Sequence, residues 1–508
     1  MKENIASSQF QVEDIQSFIY LGYRDLKSSA YLLCRFNKEA IEEARKWLKH
    51  NLNFIQTLDK DLGENALNIA FTKEGLGKLG IDNDELHTFS IPFIEGMTAR
   101  QKILGDFEQN DPANWKWGNE KEDSAVDMLL LVFGKDPAAL EKKIDSLEFN
   151  SDHINLVYRV DSAFRDKEHF GFRDGITDVT TEGFLSHYLN RHPDNEHSGK
   201  AKFWNIHRDD VLKDGEVLLG YTNEYDEKSE SPLVKLESKY LSHNRSDSQT
   251  SFKSDFGRNG TYLVFRQLDQ DVSSFWSYAD EQAKASNIEG MDAQYIASKM
   301  VGRLPDGTSF ISKDENISGY VKEDPDGLKC PFASHVRRSN PRDSMIQGKP
   351  EESLKAVRNH RIIRRGRSYG VGISDARDMK EFIKDAIAAS SVDKGSRGLN
   401  FICFNADISQ QFEFIQQNWI NNPKFLGLYN DPDPLVASLP VNGKTFSIPD
   451  QPFRKRLELQ KNFVTVVGGA YFFMPGLNAI RYLVHKESIV SISNDEGKSF
   501  IDIGLSIY

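Results

Sequence analysis

A chain of 508 residues exceeds one ordinary core, so two or more domains are expected. With 39% hydrophobic and 28% charged residues it reads as a globular protein rather than a disordered one, and a net charge of −12 argues against general binding to nucleic acid or anionic membrane. The three cysteines, Cys34, Cys330 and Cys403, lie far apart with no CxxC, which favours a reducing compartment and gives no disulfide framework.

The opening stretch "MKENIASSQFQVEDIQ" lacks the basic-then-apolar order of a signal peptide. No apolar run reaches spanning length, since "VTVVGGAYFFMPGL" (464–477) is interrupted by glycine and proline. A cytoplasmic protein with no membrane role is therefore expected.

Four segments share one layout: "YLLCRFNKEAIEEARKWL" (31–48), "LLVFGKDPAALEKKI" (130–144), "YLVFRQLDQDVSSFWSYA" (262–279) and "FICFNADISQQFEFIQQNW" (401–419). Each opens with a run of Leu, Val, Ile, Phe and Tyr that predicts a buried strand. Each continues with apolar residues three and four apart, such as Ile41, Ala44 and Leu48, or Phe412, Ile415 and Trp419, which predicts an amphipathic helix. Asn37, Asp136, Asp269 and Asp407 stand at the four junctions as expected N-caps, and Pro137 suits a first helical position. Two strand–helix units in each half are what a βαββαβ ferredoxin-like fold requires. The fold class read from this is α+β: two ferredoxin-like domains, 1–250 and 251–508, each an antiparallel sheet with helices on one face. "SHNRSDSQTSFKSDFGRNG" (242–260) is the likeliest linker by composition, and "ASSVDKGSRG" (389–398) is a shorter polar break.

Between and after these units lie three unusual stretches. "HFGFRDGITD" (169–178) places Asp174 before Gly175; Asp-Gly is a common turn dipeptide, so Asp174 either turns the chain or does chemistry. "KCPFASHVRRSNPRD" (329–343) sets His335 among Arg337, Arg338 and Arg342 in a proline-restrained path. A haem, with iron for an imidazole and two propionates for arginines, would suit it. "HRIIRRGRSYG" (360–370) reads as a basic edge strand entering a glycine turn.

These stretches resemble the dye-decolorizing peroxidase family. "GFRDG" (171–175) is similar to its GxxDG motif, "CPFASHVRRSNPRD" to its proximal-histidine motif and "RIIRRGRSYG" to its distal-arginine motif. "GEVLLGYTNEYD" (215–226), "NGTYLVFRQLDQDV" (259–272) and "GGAYFFMPGLNAIRYL" (468–483) resemble flanking stretches of the longer fungal-like and related bacterial members. The resemblance implies two ferredoxin-like domains with haem b in the C-terminal one, and hydrogen peroxide, dyes and phenols as substrates. It implies His335 as iron ligand, Asp174 as distal acid–base residue and Arg364 as distal arginine. It further implies Gly175 and Ile176 in the loop against the haem, Arg338 and Arg342 as arginines near the propionates, and Leu399 and Phe401 as apolar lining. By the same resemblance, Asp433 in "DPDPLV" (431–436) is the partner of His335, and Asp407 is a rival that its N-cap position already explains. Tyr369, five positions after Arg364, is a candidate electron relay, with ordinary core packing as the equal alternative. Two departures stand out: Thr177-Asp178-Val179 where members often have Ser-Gln-Pro, and Leu304 where a tryptophan is common.

The implied chemistry divides the heterolysis of peroxide between two side chains, a carboxylate that moves a proton between the oxygens and a guanidinium that stabilises developing charge. A haem-handling protein without turnover would need His335 and the arginines but not Asp174 beside Arg364. No oligomeric state is fixed by the sequence, although a homo-oligomer is compatible with it.

Overall fold

The computed structural model describes residues 10–494 except 150, 177–178, 192–207, 245–250, 287–289, 312–318, 390–394, 439–442 and 451. Thr177 and Asp178, and parts of both polar breaks, thus lie outside the described residues.

Eight strands build the scaffold: β1 (Ser28–Phe36), β2 (Asn65–Phe71), β3 (Met128–Gly134), β4 (Ile154–Ala163), β5 (Thr261–Gln270), β6 (Arg367–Tyr369), β7 (Gly398–Asn405) and β8 (Val464–Met474). Numbered within its own half, each set of four has the order second, third, first, fourth, with every pairing antiparallel. That is the ferredoxin-like order, present twice. The two sheets then join edge to edge. Ser368 and Tyr369 of β6 pair with Ala163 and Ser162 of β4, and Phe473 of β8 pairs with Phe71 of β2. The ring closes, so no edge of these eight strands is left to solvent along its whole length.

Side-chain alternation explains why the strand runs look continuously apolar. On β1, Tyr31 and Leu33 point to one face with Leu131, Phe133, Phe265 and Phe404, and fill the barrel. Leu32 and Cys34 point to the other and pack on Ala44, Trp47 and Leu48. Those last three belong to helix α1 (Ile41–Asn51), which covers the outside. Both faces are buried, so the usual polar alternation is absent.

Helix α2 (Pro137–Asp145) follows β3, and α3 (Val272–Ser286) follows β5. Asn37 Oδ1 accepts from Glu39 N–H, Asp136 from Ala139 at 2.8 Å and Asp407 from Gln410 at 3.0 Å, as the junction pattern predicts. The third junction differs. Asp269 is still inside β5, which runs ten residues because it is paired on both sides, and Asp271 caps α3 by accepting from Ser274 N–H at 3.0 Å. The fourth helix is also not an ordinary one. Ser409–Glu413 and Ile415–Ile420 are π-helical, with Glu413 N–H bonding Ile408 and Asn421 N–H bonding Gln416, five residues back. Among the described residues no helix is long and apolar enough to cross a membrane.

The second half carries a long excursion between α3 and β6. It holds the short helix α4 (His335–Ser339) and the two-residue strand Ile363–Arg364, which pairs with Phe404 and Cys403 of β7.

Candidate active site

A cavity of about 650 Å³ opens between this excursion, β5, β7, the π-helical segment and the loop that follows β4. That is ample for a medium-sized organic group. His335, Asp174, Gly175, Ile176, Arg342, Arg364, Leu399 and Phe401 all contribute to its wall.

His335 is the first residue of α4, whose N-cap is Ser334. The preceding turn is drawn in by Asp324, which accepts from Lys329 and Cys330 N–H and from Arg337 Nη1. Arg337 is therefore a buried structural cation. The His335 Nδ1–H donates to Asp433 Oδ2 at 2.9 Å, and Asp433 Oδ1 accepts from Leu435 and Val436 N–H, also at 2.9 Å. Burial alone would lower the imidazole, but the Asp433 charge and hydrogen bond outweigh it and hold His335 above its ordinary value. For Asp433 burial pushes up, and His335 with the two N–H donors pulls the carboxyl below its ordinary value. The hydrogen bond fixes the ring orientation and occupies Nδ1, so that Nε2 is the nitrogen left for a ligand. The His335 side chain keeps 31% of its surface accessible, and that surface is cavity wall.

Another part of the wall is built by the loop 164–176. Lys167 and Arg173 form a bridge, and Glu168 N–H bonds Phe172 O at 2.9 Å, making a small hairpin. The aromatics of "HFGF" are anchors. Phe170 packs on Phe275, Phe172 stacks on Trp276, and Trp276 Nε1–H donates to Phe170 O, so a loop of the first half docks on α3 of the second. Asp174 follows, its Oδ1 accepting from Gly175 N–H at 2.6 Å and from Arg364 Nη1 at 3.4 Å. Gly175 has φ +66, and a Cβ there would sit 3.2 Å from the Arg24 guanidinium that donates to Gly175 O. Glycine is favoured by the left-handed conformation, and a side chain would also press on the end of Arg24. Asp174 and Arg364 are 41% and 43% exposed, far from the sealed Asp433.

Leu399 and Phe401 project from β7 into the cavity, while their neighbours Ile402 and Phe404 face the barrel, as a period of two demands. Arg342 lies on the wall with φ +50.

Two expected residues stand elsewhere. Arg338 is fully buried away from the wall, donating to the carbonyls of Trp419, Asn422 and Asp431, so it ties α4 to the end of the π-helical segment instead of facing a propionate. Asp433 lies behind His335 as its expected hydrogen-bond partner and so is not itself part of the wall. Tyr369 is buried in the barrel with its hydroxyl donating to Asp269, which accounts for that aspartate's true role.

Sequence reasoning passed over Glu168 and the π-helical residues Phe412, Ile415 and Ile420 that complete the wall. Glu168 left one signal, a lone acid before the aromatic anchors. The π-helix left none, since its apolar spacing is that of an α-helix.

Among the described residues no three His, Cys, Asp or Glu side chains cluster to hold a bare metal ion. The donor set is one oriented imidazole facing a large apolar-walled cavity with arginine at its rim. That suits a metal carrying its own equatorial ligands and negative charges, as haem does.

A closed barrel of two ferredoxin-like halves thus carries a cavity to which an imidazole–carboxylate pair and a carboxylate–guanidinium pair both belong. The profile of the DyP dimeric alpha+beta barrel domain matches residues 10–166. Dye-decolorizing peroxidase msp1 of Mycetinis scorodonius is 25% identical over 82% of this chain and 76% of its own length. The multifunctional dye peroxidase DyP2 of an Amycolatopsis species is 33% identical over 44% of this chain and 49% of its own. The crystal structure of a DyP-type peroxidase from Anabaena superposes with a TM-score of 0.69 at 22% identity, covering 93% of this chain and 94% of that one. Over most of its length the chain is thus similar to dye-decolorizing peroxidases.

Proposed function

We propose that this peroxidase uses haem b, ligated by His335, to couple reduction of hydrogen peroxide to one-electron oxidation of dyes and phenols. The observation that carries the reading is the contact of Asp174 with Arg364 on the wall of the same cavity that His335, held by the buried Asp433, also lines. A protein that only carried haem would have no use for it.

When bound, the haem supplies a redox-active iron that activates peroxide and stores its oxidising equivalents. The chain's own groups do the rest. Asp433 holds the His335 ring and raises its donor strength. Leu399 and Phe401 would give the cofactor an apolar face, Gly175 and Ile176 would let the loop approach it, and Arg342, which also lines the cavity, would meet a propionate. Asp174, as carboxylate, takes a proton from one peroxide oxygen and delivers it to the other, so that water can leave. Arg364 stabilises the negative charge that builds as the oxygens separate. Proton transfer needs Asp174 to move between two atoms, which fits its exposure.

A related dye-decolorizing peroxidase has been crystallised with 2,6-dimethoxyphenol, and this phenol is the natural first reductant. The division into a 1–250 loop-donating domain and a 251–508 haem domain is part of the same proposal. It is supported by the loop's docking on α3. The haem-loaded full chain should oxidise 2,6-dimethoxyphenol and a dye panel in a peroxide-dependent way. A Soret band without turnover would instead favour a haem carrier.

A further inference from the structure

The loop bearing Asp174 is closed at its foot by a second carboxyl. Glu168 Oε2 accepts from Phe170 N–H at 2.8 Å and from Gln270 Nε2–H at 2.7 Å, while Oε1 accepts from Phe172 N–H at 3.0 Å. Its backbone closes the same hairpin, donating to Phe172 O and accepting from Gly171 N–H, each at 2.9 Å. Five hydrogen bonds thus converge on one residue, six positions before the proposed proton carrier. Gln270 is the last residue of β5, so Glu168 also ties the loop to the other half of the barrel.

This is more than the hairpin needs. Phe170 and Phe172 are already seated on α3 by their rings, and the main-chain bonds already close the turn. A surface loop would leave two such N–H groups to water. Here they converge on a carboxyl that itself forms part of the cavity wall. Such convergence fixes the path of residues 170–174 and hence where the Asp174 carboxyl stands.

We propose that Glu168 is a positioning residue for Asp174, holding the distal loop on the course that presents the Asp174 carboxylate to peroxide, with Gln270 as its counterpart on β5. The proposal rests on the role given above to Asp174. Burial pushes the Glu168 carboxyl up to about 7, against the pull of Phe170, Gln270 and Phe172 and with a push from the Asp174 charge. A protonated carboxyl retains part of its acceptor capacity, so the comparison is clearest above neutrality, where the group is charged.

The test is a double-mutant cycle on the haem-loaded full chain above neutral pH. It combines Glu168→Ala and Asp174→Asn, with the bimolecular reaction with peroxide followed by stopped flow. Glu168→Ala alone should slow that reaction by roughly 10- to 100-fold, the cost of misplacing a reacting group by about 1 Å. Placed on Asp174→Asn it should add almost nothing, because no proton carrier is left to misplace. Equal slowing in both backgrounds would mean a merely structural role and would overturn the proposal, as would parent-like rates for Glu168→Ala. If Asp174→Asn itself is as fast as the parent, the role of Asp174 fails first. Hydrogen exchange supplies a readout independent of turnover: Phe170 and Phe172 amides should exchange faster in Glu168→Ala while the barrel strands stay protected. Unchanged exchange at those two amides would also overturn it. Should Glu168→Ala not fold, Gln270→Ala removes one of the three side-chain bonds and should show the same non-additivity at smaller size. Additive slowing there would count against the proposal.

Discussion

Asp433 and Asp174 are both carboxylates that meet a cationic or ionisable partner, one behind the His335 ring and one on the cavity wall itself. Asp433 has no exposed surface and accepts three hydrogen bonds; Asp174 is 41% exposed and meets Arg364 at 3.4 Å. The difference matches the tasks. A ligand to a metal must be oriented once and then held, so its partner is buried and saturated. A proton carrier must exchange partners during the reaction, so its carboxylate cannot be saturated beforehand. The unsaturated side is then steadied through its backbone, by the aromatic anchors Phe170 and Phe172 and by Glu168.

If the two pairs divide the work this way, damage to them should separate cleanly. His335→Ala should lose most bound haem, or hold it with an altered spectrum, while the fold persists. Haem content and the Soret spectrum check this. An unchanged spectrum would move the ligand to another histidine, first His360, which also reaches the cavity. Arg364→Leu should retain haem yet slow the reaction with peroxide by about a hundred-fold or more, the usual cost of removing one preorganised charge-stabilising donor. Parent rates in stopped flow would shift that role to Arg365. Asp433→Asn should weaken haem retention by roughly 10- to 100-fold, as loss of a partner behind a ligand typically does, with a lesser effect on the distal chemistry. Haem transfer to an acceptor globin measures it.

Two smaller effects sharpen the contrast. Tyr369→Phe removes a hydroxyl that is bound to Asp269 and absent from the wall. It should leave the peroxide step alone and slow dye oxidation by less than about tenfold, under about 1.4 kcal/mol of barrier. A larger loss would make Tyr369 a main electron route. Glu168 predicts a stability slope. Its carboxyl is raised from an ordinary 4.5 to about 7, so the folded chain holds a proton the unfolded chain has lost between those values. The resulting stabilisation is complete below the ordinary value and fades as pH rises through about 7. Thermal melts of the parent against Glu168→Gln should show the parent losing ground over that interval; parallel curves would contradict the burial argument.

Much of this was readable before any coordinates. The four strand–helix units and three of their four caps followed from local rules, since a buried strand needs apolar residues and a helix start needs an N–H acceptor. Asp269 misled because pairing on both edges carried β5 past it to Gln270, a tertiary effect no local rule contains. The same blindness covers Arg338. In sequence it is one arginine among several beside a histidine, and only packing decides that it satisfies three carbonyls rather than a cavity. The π-helical geometry of 409–420 is likewise invisible, because its apolar positions suit either helix. His335, Asp174 and Arg364 came from the resemblance to a family, and their sharing one cavity came from the structure.

The most direct test of the central claim is the rate of the haem-loaded protein with hydrogen peroxide, compared between the parent and Asp174→Asn across mildly acidic to neutral pH. Over that whole range the asparagine variant should react about a hundred-fold slower or worse with haem content unchanged. A variant as fast as the parent would contradict the role of Asp174.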